Sequence, residues 1–93
     1  MIIAALTFRL HAPWVHSLKE KRMMVQSLTS KLRGRFHVAA AEVDEQDIHQ
    51  IIVLGVAAIA AHSAQANSIM DEISGFVEAN TEAEIVEELR EIR

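Results

Sequence analysis

Lys19, Arg22, Gln26, Ser30 and Arg33 recur three or four positions apart. On an α-helix that spacing gathers them into one stripe. A stripe of cations and neutral hydrogen-bonding groups can lie along a phosphate backbone, where a few Lys and Arg contacts supply most of the sequence-independent affinity. It contains no aromatic residue to stack on a base, and its alternative role is a solvated outer face with charges suited to the helix dipole. Lys21 is of a different kind. It falls on the apolar side of the same helix, between Leu18 and Val25, where a cation is costly unless its stem snorkels or a carboxylate meets it. Glu42 is the expected partner, with Asp44 or Asp47 as substitutes. The other chemistry open to Lys21 is an anion site, in which it joins Arg22 and the free amides of the helix N-terminus around a phosphate or carboxylate.

Catalytic and metal chemistry find little footing. His11 and His16 share a loop and His49 could approach them, but no histidine pair has the H-x-x-x-H spacing of a helical metal site and the chain has no cysteine. Ser17 follows His16 directly, which is not the arrangement of nucleophile, base and orienting group, and its position suits a helix cap better. The expectation is a non-enzymatic protein with no catalytic residue, no metal and no cofactor. Trp14, next to Pro13, is either a lid over the first helix or a contact residue.

Charge is split along the chain. Residues 1–35 hold seven basic residues and one acid, a net +6, and the remaining residues hold twelve acids against Arg90 and Arg93, a net −10. Such asymmetry bears on partners and association rates rather than on fold. With 93 residues and 51% hydrophobic composition the chain is expected to form one domain, residues 1–93, with a single core. The absence of cysteine agrees with a reducing compartment. The apolar start Met1 to Leu6 is short for a signal-peptide core, and the longest apolar run, Ile51 to Ala61, is about half of the ~20 residues that span a bilayer. A cytoplasmic protein without membrane contact is expected.

The elements that must position these residues follow from periodicity. Ile2 to Leu10 predicts a strand, and His11 to His16 a loop. Ser17-Leu18-Lys19-Glu20 fits a capping box, after which Leu18, Met24, Val25, Leu28 and Leu32 form an apolar helical stripe that Gly34 is expected to cap, with Lys31 and Arg33 in the last turn. Phe36 to Val43 predicts a second strand, followed by a hairpin loop longer than two residues. Ile51 to Ala60 is apolar almost throughout, as in a strand buried on both faces, with Gly55 marking a bulge or a close approach. A second helix starts near Ser63, carries Ala66, Ile69, Met70, Ile73, Phe76 and Val77 on one side, and ends at Asn80 in a left-handed turn. Glu84 to Ile92 alternates as a half-exposed edge strand.

The order βαββαβ specifies an α+β, ferredoxin-like fold: a four-stranded antiparallel sheet in the order 4-1-3-2 with both helices on one face. Loop 11–17, the hairpin and the Asn80-Thr81 turn should then meet at one end. The uncovered face of the central strands would carry Ile3, Ala5 and Thr7 with Val53, Gly55, Ala57 and Ile59, or their neighbours. A face that apolar predicts a homodimer, paired face to face or edge to edge.

Four blocks, His16-Ser17-Leu18-Lys19-Glu20-Lys21-Arg22, Arg35-Phe36-His37-Val38 leading into Ala41-Glu42-Val43, Asp47, and Leu54-Gly55-Val56-Ala57, resemble the YlxP-like family of small bacterial proteins over essentially the whole chain. The resemblance implies a ferredoxin-like fold, a bacterial cytoplasmic source and a gene often near translation-initiation and ribosome-maturation genes. It implies no activity, because the family is a domain of unknown function. This chain departs from many members in having Gln50-Ile51-Ile52 where a basic residue follows the Asp-centred loop, and His37 where they have asparagine. The function expected is a binding module near the ribosome or RNA, in which Lys19, Arg22 and Arg33 contact nucleic acid or an acidic protein. Its alternatives are a homodimeric scaffold that uses the open sheet face, and a small-anion-binding regulatory domain built on Lys21, Arg22 and the hairpin.

Overall fold

The computed structural model describes all 93 residues. Strands β1 (Ile2–His11), β2 (Val38–Asp44), β3 (Ile51–Ala60) and β4 (Glu84–Ile92) form one antiparallel sheet, with helices α1 (Leu18–Arg35) and α2 (Ser63–Ala79) between them in chain order. The sheet order is β2-β3-β1-β4, the expected 4-1-3-2 arrangement read from the other edge. β1 alternates strictly: Ala4, Leu6, Phe8 and Leu10 are buried, while their odd-numbered neighbours are less so. Opposite them Ile52, Leu54, Val56 and Ala58 of β3 complete the sheet side of the core. α1 adds Leu28 and Leu32, and α2 adds Ala66, Met70, Ile73 and Val77. Each fully buried Leu, Ile, Val or Phe contributes about 1.5–3 kcal/mol. α1 packs on β2 and β3, α2 on β1, β3 and β4.

Several local expectations are corrected. Gly34 does not cap α1: the helix runs through it to Arg35, no glycine has a positive φ, and the cap is Phe36, whose amide donates to the Leu32 carbonyl at 2.9 Å. Phe36 is held by packing, its ring edge-on to Phe76 at 5.4 Å, with the Arg35 guanidinium 4.9 Å over its face. The last turn therefore carries Arg33 and Arg35 rather than Lys31, and β2 starts at Val38. Asn80 ends α2 without a left-handed turn (φ −112°); its amide and its Nδ2 both donate to the Phe76 carbonyl. Gly55 is a close approach: a Cβ there would lie 2.8 Å from Val43 Cγ1, and the bulge is on the neighbouring strand, between Glu42 and Asp44.

A second irregularity reorders β4. Arg9 faces Glu87 but Leu10 faces Ile85, so Val86 is skipped. Simple alternation would put Ile85 and Leu89 on one face. The bulge instead turns Ile85 to the core and leaves Leu89 on the open face of the sheet, where it lines a hollow with Thr7.

Candidate functional site

Ser17 sits in extended conformation and its Oγ accepts from the Glu20 amide at 3.1 Å. The Glu20 carboxylate reaches back one residue further than a capping box requires, accepting from the His16 amide at 3.3 Å. This cap fixes where α1 begins and hence which face Lys21 occupies.

Lys21 is 1% exposed. Its Nζ donates to the carbonyls of Glu45 (2.7 Å) and Ile48 (2.6 Å) and lies 2.6 Å from Glu42 Oε2. The buried Glu42 Oε2 thus stands as the third oxygen around the ammonium, beside the two carbonyls. Three oxygens around a buried ammonium leave nothing aimed at solvent, so Lys21 ties α1 to the β2–β3 connection and does not line an anion pocket. Glu45 is the one residue with a left-handed backbone (φ 55°), and its carbonyl also accepts from the Ile48 amide at 3.1 Å. Arg9 Nη2 reaches the Glu45 carboxylate at 3.3 Å, and Asp44 accepts from the Glu45 amide. The carbonyl partners of Lys21 carry no sequence signal, because any residue supplies a carbonyl. Only the length of the loop hints at them.

The expected end-grouping is present. The Ala12 amide donates to the Gln50 carbonyl and Gln50 Nε2 to the Pro13 carbonyl, which joins loop 11–17 to the hairpin. Trp14, 44% exposed, borders a hollow of about 370 Å³ with Met23, Met24, Asn80 and Thr81.

The stripe separates. Lys19 and Arg22 are exposed, with no carboxylate oxygen within 4.0 Å. Arg33 is not free in the same sense: its Nη1 donates to the Ala40 carbonyl of β2 at 3.1 Å. Two cations outside the stripe, Lys31 and Arg35, are exposed and also lack a carboxylate partner. Basic residues elsewhere behave differently. Arg9, Arg90 and Arg93 are each paired with carboxylates, and the Asp71 and Glu88 hydrogen bonds hold the Arg90 guanidinium above its ordinary pKa.

On the opposite side of the molecule, the open face of the sheet is apolar and built from small residues. Ala5, Thr7, Ala41, Gly55, Ala57 and Leu89 line a shallow hollow of about 460 Å³, with Ile3 and Ile59 exposed beyond it. No group of three or more His, Cys, Asp or Glu side chains is placed to hold a metal ion. No helix is long and apolar enough to cross a membrane.

Among known proteins, the chain is similar to the uncharacterized protein YlxP of Bacillus subtilis (strain 168), at 28% identity over 68 residues, which cover 73% of this chain and 74% of the relative. The model of a family described as "Protein of unknown function (DUF503)" matches residues 3–90, which touch all six elements and stop two residues short of the end of β4. The α1 cap, the hairpin that Lys21 holds and the central strands all lie within that match, and the chain belongs to the DUF503 family.

Proposed function

We propose that this protein is a non-enzymatic, cytoplasmic binding module that engages RNA, in the setting of the ribosome, through the outer surface of α1. The observation that supports this reading is the distribution of unpaired cations. Lys19, Arg22, Lys31 and Arg35 are exposed on one helix without a carboxylate partner, whereas every basic residue outside that helix is paired. Cations without a partner on one helix form a local positive patch in a protein of net charge −4, and a polyanion neutralises such a patch with release of its counterions.

Filter binding to a single-stranded RNA across a salt series tests the reading. Lys19, Arg22 and Arg33 share one face of α1, and three phosphate contacts there give a slope of log affinity against log salt near −2.1, or about an 18-fold loss between ~50 and ~200 mM salt. Replacing Lys19, Arg22 and Arg33 with Glu should flatten that slope. Unchanged affinity in the triple variant removes the proposal.

The open sheet face favours a second reading, a homodimeric scaffold on which that face is the working surface. Its small apolar side chains, with Ile3, Ile59 and Leu89 exposed around them, form an unpartnered face that a second copy would cover. The small-anion alternative is not proposed, because the Lys21 ammonium is enclosed by protein oxygens.

A further inference from the structure

The two edges of the sheet are unlike. β4 carries Glu84, Glu87, Glu88, Arg90 and Glu91, the dense charge that natural sheets place on an edge to prevent pairing. β2 reads Val38-Ala39-Ala40-Ala41-Glu42-Val43-Asp44, and in its first four residues there is neither charge nor proline.

Which of its main-chain groups face outward follows from the ladder. Ile3 exchanges both hydrogen bonds with Arg93, on the β4 side of β1. Alternation then directs Ala4, Leu6 and Phe8 to β3, and Ala57 and Gly55 of β3 to their β2 partners, Ala39 and Ala41. Val38, Ala40 and Glu42 consequently present their N–H and C=O groups away from the sheet. Arg33 supports this assignment, since its guanidinium reaches the Ala40 carbonyl. That contact occupies one lone pair and leaves the other for a neighbouring strand.

The edge is also self-complementary in charge. It runs from a basic end, where Arg35 and His37 precede Val38, to an acidic end at Asp44. All three flanking groups are exposed. In an antiparallel pair of two β2 strands centred on Ala40, Glu42 of one copy lies opposite the partner's Val38, and the bulge that skips one residue after Glu42 brings Asp44 opposite the partner's His37. The acidic end of each strand then meets the basic end of the other, where the partner's Arg35 closes α1, and the contact repeats across the two-fold axis. On the open face the neighbours are Ala39 and the partner's Ala41, small enough for close pairing.

We infer that β2 is a homodimer interface, at which two copies pair edge to edge about Ala40 into one eight-stranded sheet with all four helices on the same side. The inference rests on the homodimer reading and identifies its interface; it shares Arg35 with the RNA reading, and the Ala40→Pro variant leaves that residue untouched. The two open faces then join into one platform, and the cyclic two-fold pair leaves only the charged β4 edges exposed, so growth stops at the dimer.

Sedimentation equilibrium of the full chain tests this, from on the order of 1 µM to 500 µM. Wild type should show a monomer–dimer equilibrium. Ala40→Pro removes an outward N–H and leaves the β2–β3 ladder intact, as edge proline does, and should weaken dimerisation at least about tenfold with an unchanged circular dichroism spectrum. A second test does not depend on how proline is accommodated. Asp44→Arg and Arg35→Glu should each weaken the dimer, and the double variant should recover most of the loss. A dimer that survives Ala40→Pro but breaks in Ile59→Lys is face to face, which overturns the edge assignment and keeps the homodimer. A wild-type monomer throughout the range overturns both. Failure of the double charge variant to recover overturns the register.

Discussion

The Lys21 ammonium lies 2.6 Å from the Glu42 carboxylate and also donates to two main-chain carbonyls, those of Glu45 and Ile48. The charge of Glu42 makes burial of the lysine tolerable, and the carbonyls give it a structural task. It closes the connection between β2 and β3 from the side of α1.

Lys21→Met should accordingly destabilise the fold by about 3–5 kcal/mol, because it leaves Glu42 charged, enclosed and unpaired. Urea unfolding measures this. Adding Glu42→Leu should recover part of the loss and no more, since the carbonyls of Glu45 and Ile48 still lack their donor. Full recovery would show that the pair matters only as a pair of charges.

At the centre of the open face, Gly55→Ala places a Cβ 2.8 Å from Val43 Cγ1. Val43 is at the sheet edge and half in water, so the side chain can turn away. The expected cost is about 1–2 kcal/mol, and Val43→Ala in the same chain should abolish it. Thermal unfolding of the two single variants and the double variant supplies the comparison.

Ser17→Ala removes the oxygen that accepts from the Glu20 amide and should cost about 1 kcal/mol. The loss should appear as faster hydrogen exchange in the first turn of α1, since the remainder of the helix is anchored by Leu28 and Leu32.

Arg22 and Arg33 have the same charge and nearly the same helical phase, but different surroundings. Arg22→Ala should reduce the salt slope of RNA binding by about 0.7, one phosphate's share on a single strand. Arg33→Ala should reduce it less, because the guanidinium is already bonded to the Ala40 carbonyl. Equal effects would mean that this bond yields to phosphate.

The element order and sheet topology were legible in the sequence because β1 is rich in β-branched and aromatic residues, β3 is a nearly unbroken apolar run and the two helices carry apolar stripes at helical spacing. Ala57 and Ile59 of β3 nevertheless face the open side. Lys21 was legible for the converse reason: a cation at an apolar helical position requires an anion, and Glu42 stood at the matching end of the fold. The misreadings lie where tertiary contacts override local preference. Gly34 has the residue type of a helix terminator, but Phe36 sets the exit by packing on Phe76, two elements away. Leu89 alternates in phase with Ile85, yet a bulge against β1 separates them. The Arg33 bond depends on how α1 lies over β2, which periodicity along one helix cannot report.

One feature of the layout acts at a distance. The cations of α1 lie over β2 at one flank, offset in part by Glu42, Asp44, Glu45 and Asp47 of β2 and the connection after it, and the acids of α2 and β4, including Asp71, Glu72, Glu87 and Glu91, lie at the other. The molecule therefore carries an electric moment directed across its strands. Near a polyanion such as the proposed RNA partner, it would feel a torque before any contact forms, one that turns α1 toward the partner and β4 away. Orientation during the encounter raises the fraction of productive collisions, an advantage that grows as ionic strength falls.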